Sequence, residues 1–177
     1  MIIRLQAWLG IHKRKIGTIA IGHTFKHLEE LLFDFGIYPI VIAWLGTLMG
    51  GLVMMALSAF VCWLYLLFYD WAKTDWLGLE LLKEARDGDE KHGRIAKLFQ
   101  RITRRGNWLA FLVLSFFFDP FVTTAYMRHG AHTYAGLSSR DWKIFWASVF
   151  VANVWWTGLM SIVVAAIRAL LSWLGFI

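Results

Sequence analysis

The sequence predicts an all-α integral membrane protein. Its four transmembrane helices form two hairpins, accompanied by an N-terminal amphipathic helix and a cytoplasmic helical hairpin. Three observations predict this fold class. Phe35 to Tyr69 contains no charged side chain and is apolar on every helical face, which suits a bilayer better than a soluble core. The 177 residues are 59% hydrophobic and only 17% charged, against about a quarter in soluble domains. The mean hydropathy is +0.56. Finally, Lys and Arg cluster between the apolar blocks, and Trp71, Trp76, Trp108, Trp142, Trp146 and Trp173 mark block ends at the headgroup level. A chain of this length makes one unit, a single membrane domain over 1–177.

Residues 1–27 form the expected interfacial segment. Met1, Leu5, Trp8 and Leu9 fall on one helical face beside Arg4 and His12–Lys15, the pattern of a helix lying on a membrane surface. A frayed end is the plain alternative. No sustained apolar run precedes His12, so a cleaved signal peptide is not expected. Thr24 is a plausible N-cap. After it, Phe25, Leu28, Leu31, Leu32 and Phe35 form an apolar stripe, with Lys26, Glu29, Glu30 and Asp34 on the opposite face.

The first membrane hairpin is expected over 28–69. Its spans are Leu28 to about Leu48 and Leu52 to Tyr69, and Gly50-Gly51 supplies the turn. The alternative is three spans with one long tilted first helix, in which Gly46 and Gly50 become a close-packing face. Basic residues separate the two models. Five precede residue 37, nine lie in 70–106, three in 128–143, and Arg168 stands alone. The hairpin model divides them fifteen against three, whereas the long-helix model divides them almost evenly. Positive-inside bias therefore favours four spans and both termini in the cytoplasm, in a bacterial-type inner membrane.

Residues 70–106 are expected to form the cytoplasmic helical segment. Ile95, Leu98, Phe99 and Ile102 make an amphipathic stripe, and Arg94, Lys97, Arg101, Arg104 and Arg105 flank it. These cations suit anionic lipid headgroups or a docking partner. The second membrane hairpin is expected over 107–175, with a third span from Trp108 to Tyr126 and a fourth from Ile144 to about Leu171. Gly46, Gly50, Gly51, Ser148 and Ala152 are the small residues suited to helix packing.

Asp119, followed by Pro120, is the leading functional candidate, with Asp34 and Asn153 as further intramembrane polar groups. A carboxylate deep in a span is costly unless paired or near water, so it marks a transport pathway, or else a helix break that it caps. His23, His27 and Glu30 share a face at i, i+4, i+7, a spacing able to hold a metal ion, though no fourth ligand is evident. His129 and His132 raise the same question in the 128–143 loop. Ser138, Ser139, Asp141 and His132 lack a nucleophile elbow. No catalytic constellation or cofactor motif is present, so neither an enzyme nor a cofactor is expected. The net charge of +6 reflects orientation rather than nucleic-acid binding. The small-residue faces favour a homo-oligomer or a membrane-protein partner, hence an oligomeric scaffold or assembly subunit. The alternative is a channel or proton-linked transporter with Asp119 on its pathway.

Overall fold

The structure, a computed structural model, describes residues 17–80, 83, 107–128 and 134–175. The N-terminal amphipathic segment, the basic residues Arg94, Lys97, Arg101, Arg104 and Arg105, and His129 and His132 lie outside the described residues. The described residues are almost all helical, and no strand occurs among them. Helix α1 (residues 17–30) runs through a π-helical stretch, Leu31–Ile37, into α2 (Tyr38–Ala72). Then come α3 (Asn107–Phe117), α4 (Pro120–Met127) and α5 (Ser139–Trp173). Two helical stretches, Gly17–Ala72 and Ser139–Trp173, are long and apolar enough to cross a membrane.

The π-helical stretch follows from Pro39, which has no N–H to give and whose ring crowds the preceding turn. The Tyr38 N–H reaches back five residues to the Phe33 carbonyl. The wider turn accommodates the proline without ending the helix.

Within α2 the chain reverses at Gly46. Its φ of 76° and ψ of 172° belong to a region essentially reserved for glycine. A Cβ placed on Gly50 would lie 3.1 Å from the Cα of Ile42. In an uninterrupted helix two such residues are about 12 Å apart along the axis. Tyr38 and Ile42 accordingly pack on Met54, and the Lys26 ammonium stands 5.5 Å from the centre of the Tyr65 ring. The turn thus falls four residues earlier than the expected Gly50-Gly51, which stay helical. Gly46 is where the backbone needs a conformation that only glycine adopts easily. The small size of Gly50 and Gly51 serves packing: Gly50 admits the returning arm, and Gly51 admits Thr157 of α5.

The expected third span does not pass through the bundle. Helix α3 descends beside α5, with Ser115 Oγ donating to Ser148 Oγ at 3.0 Å and the Phe116 ring 5.4 Å from that of Trp155. The chain breaks at Phe118-Asp119, and α4 climbs back. Tyr126 and Met127 therefore pack on Leu114, with Phe111 and Ile144 alongside. Pro120 sets this break. Asp119 takes extended backbone angles, and its side chain accepts the Val122 N–H at 2.7 Å, capping α4. The result is a V whose two ends face the same way.

Helix α5 starts with a Ser138–Asp141 capping box and runs the length of the bundle. At its far end Arg168 donates to the Ala43 carbonyl at 2.6 Å, beside the Gly46 turn. The start of α1 lies at the other end: Gly22 abuts the Trp76 backbone, and His23 Nε2 donates to the Leu77 carbonyl at 3.0 Å. Gly17 and Trp173 therefore mark opposite ends of the bundle, not the same end as expected. The largest apolar cluster sits toward the Gly17 end, where Trp76 stacks on Phe121 with Tyr69, Phe145 and Val149 around them.

Candidate functional site

Lys26, Glu29, Glu30 and Asp34 recur at i, i+3, i+4 and i+8 along α1 and the π-helical stretch that continues it, so one helical face carries all four. The fold turns that face inward, toward the tip of the α3–α4 V. The Lys26 ammonium meets Asp119 Oδ2 at 2.7 Å, Glu29 Oε2 at 2.6 Å and Glu30 Oε1 at 3.3 Å. The lysine is only 6% exposed. Asp119 thus does two things at once, one oxygen capping α4 and the other holding Lys26. The reading of this residue as a cap at a helix break holds, and its second oxygen is paired with a cation.

These groups border a cavity of about 130 Å³ that extends past Asp34 and Cys62 to Tyr38 and Asn153. A larger cavity of about 760 Å³ opens between α1, the 77–79 segment and the V. The two share Lys26, Glu30, Phe117 and Phe118 on their walls. Lys26 and Glu30 therefore stand between an outer chamber and an inner one.

At the inner chamber's floor, the Tyr38 hydroxyl donates to the Asn153 carbonyl and to its Oδ1, at 3.2 and 3.3 Å. It also shares a 2.9 Å hydrogen bond with Thr157 Oγ1. Asn153 is held by its Nδ2 donating to the Val149 carbonyl at 2.8 Å. All three intramembrane candidates, Asp119, Asp34 and Asn153, thus border one cavity.

The proposed metal set is not assembled. His23 is turned to the Leu77 carbonyl, and His27 is largely exposed and 3.8 Å from Glu30, which also serves Lys26. Among the described residues no three such side chains converge on a point where an ion could sit. Helical spacing put the three on one face, but their side chains bond to different neighbours.

No family model, no curated protein and no solved structure matches this chain.

Of the expected packing residues, Gly50, Gly51, Ser148 and Ala152 are buried within the chain, and Gly46 forms the turn. A Cβ on Gly51 would meet Thr157 at 2.8 Å, Ser148 bonds Ser115, and Ala152 borders the inner cavity. Several groups of the site escaped the sequence reading: Lys26 and Glu29 as its centre, Tyr38 at its floor, and Thr157 bonded to Tyr38. One signal for the first pair was available, since four charged residues share one face of a helix leading into an uncharged run. The sequence places that face opposite the apolar stripe, and it does not tell which of the two turns inward.

A second charged cluster braces the end near Gly17. Arg128 Nη1 donates to Asp70 Oδ1 at 2.6 Å and has Asp141 3.9 Å from its Nε. Beside it, Lys83 pairs with Glu80 at 3.0 Å, and Glu80 accepts the Tyr69 hydroxyl at 2.8 Å. These bonds tie the end of α2, residues Glu80 and Lys83, and the exit of α4 to the start of α5.

Chemically, one ammonium among four carboxylates leaves an excess of negative charge. In a poorly solvated site that excess needs protons or a cation to balance it. The Phe118-Asp119 break lines the smaller cavity.

Proposed function

We propose that this chain is a membrane protein that moves a cation through the bilayer, with the Lys26–Asp119 pair on the pathway. In this reading the membrane is crossed three times, by α1 with the first arm of α2, by the second arm of α2, and by α5. The α3–α4 V enters and leaves on one side. Exposed Trp71 and the Gly46 turn are about 37 Å apart along the second arm, close to a bilayer's full width. The Lys26 level, opposite Tyr65, lies about 9 Å inside the Trp71 level. Orientation by charge supports the same threading. Arg168 is the only Lys or Arg after Lys143, so seventeen of eighteen belong to the Gly17 side. That ratio exceeds the fifteen to three of the four-span model, and it assigns the Gly17 end to the cytoplasm.

The observation that carries the reading is the ion pair at the tip of a broken helix, set between two adjoining cavities. Intramembrane charge of this kind marks substrate and ion routes. Discontinuous helices at a binding site are a recurring transporter feature. An assembly-subunit reading drew on small-residue faces, and the buried members of that set already pack inside this chain.

The test is purified protein in liposomes, with H⁺, Na⁺ and K⁺ fluxes followed by ion-sensitive dyes. Asp119→Asn keeps a good helix cap but removes the charge, and it is expected to lower flux at least tenfold. Wild-type vesicles that pass none of the three cations faster than empty ones would rule the proposal out.

A further inference from the structure

Resting on the cation-translocation reading of the Lys26 cavity, we infer that the species moved is the proton. It travels between the inner cavity and the Gly46 end along a file of side-chain oxygens on α5. Asn153, Thr157 and Ser161 recur every fourth residue and so share one face of that helix. Each meets a polar group of α2. Tyr38 Oη serves Asn153 and Thr157, and Ser161 Oγ donates to Thr47 Oγ1 at 2.9 Å. Beyond them Arg168 reaches the Ala43 carbonyl. The file begins where the cavity ends, because Tyr38 and Asn153 line its floor.

Packing chooses the proton over a metal cation. Tyr38 is fully buried against Ile42, Met54 and Met160. At the next level Gly51 presses on Thr157 so tightly that a Cβ would be 2.8 Å from Thr157 Cγ2 and 2.9 Å from its Oγ1. Space that refuses a methyl group does not hold Na⁺ or K⁺ with the shell of oxygen ligands that hard cations require. A proton needs only hydrogen bonds. With its hydroxyl turned from Asn153 to Thr157, Tyr38 Oη accepts a proton from the cavity as it passes its own to Thr157 Oγ1, and Thr157 passes its own onward, one O–H bond forming for each that breaks. Thr157 and Ser161 are one turn apart, about 6 Å between Cβ atoms, a gap that one bridging water covers. Ser161 then hands over to Thr47 near the Gly46 end.

The experiment measures proton entry into liposomes loaded with a pH-sensitive dye, driven by a valinomycin–K⁺ potential. Thr157→Val replaces the hydroxyl by a methyl of similar shape, and Thr157→Ser restores a hydroxyl. Proton flux is expected to fall at least tenfold in Thr157→Val and to recover in Thr157→Ser. Recovery excludes a folding defect at that position. Unchanged proton flux in Thr157→Val, with Asp119→Asn inactive, would overturn the oxygen file while leaving the cavity's role intact. Asp119-dependent Na⁺ or K⁺ flux without proton flux would overturn the proton assignment alone. Absence of every cation flux in the wild type would remove the translocation reading itself.

Discussion

Asp70 and Arg128, 58 positions apart in sequence, meet at 2.6 Å and join the end of α2 to the exit of α4. Arg128 is 3% exposed at its side chain, and Asp70 is 13% exposed. This contact fixes the exit of the α3–α4 V at the Gly17 end of the bundle. Removing one partner of so buried a pair leaves the other charge poorly compensated, at a cost of about 3–5 kcal/mol. Asp70→Ala is therefore expected to lower thermal stability in detergent by several degrees. A melting curve that overlays the wild type would show the clamp to be dispensable.

Lys26 and Asp119 should behave as a coupled pair. Lys26→Met strands the carboxylates, and Asp119→Asn removes the ammonium's partner from the V. Each is expected to destabilise alone, and the double variant by less than the sum of the two. Groups in contact commonly show coupling of about 0.5–3 kcal/mol. A double-mutant cycle of unfolding midpoints checks this, and strict additivity would argue against the observed ion pair.

Gly46 and Gly158 offer a contrast within one composition. Neither has an atom within 4 Å of where a Cβ would stand, but only Gly46 has a positive φ. Gly46→Ala is expected to cost about 1–3 kcal/mol through backbone strain. Gly158→Ala, inside α5, is expected to gain about 0.5–1 kcal/mol through helix propensity. Equal effects would mean the chain does not turn at residue 46.

Gly51→Ala should separate α2 from α5, since its Cβ would meet Thr157 at 2.8 Å. Overpacking of this kind costs about 1–3 kcal/mol. Combining it with Thr157→Ala is expected to return part of the lost stability. Failure of that rescue would place the close contact elsewhere.

Threading is open to labelling in a Cys62→Ala background, Cys62 being the only cysteine and buried. Gly17→Cys and Ser139→Cys are expected to react from the cytoplasmic side, and Leu174→Cys from the other side. Labelling of Gly17→Cys and Leu174→Cys from the same side would contradict the opposite placement of the two helix ends.

The uncharged run from Phe35 to Tyr69 made an all-helical chain with membrane-length apolar helices legible in the sequence. Asp119-Pro120 was legible as a helix break, because a missing N–H and a capping carboxylate act on their own neighbours. The turn was harder to locate, since Gly46, Gly50 and Gly51 look alike on paper and differ only in the backbone angles demanded of them. The fate of α3–α4 could not be read at all. Residues 108–126 have the length and apolar content of a span, and what sends α4 back is its packing on Leu114 together with the distant Asp70–Arg128 pair.

By itself, then, the sequence determined local matters: which segments are helical, where they break and which side chains share a face. Those depend on neighbours within a turn or two along the chain. Tertiary structure alone decided that the charged face of α1 turns inward, that Lys26 finds Asp119, and that α5 ends beside Gly46 rather than beside Gly17. Each of these depends on contacts between residues dozens of positions apart. A single sequence records what such partners are, without recording that they meet.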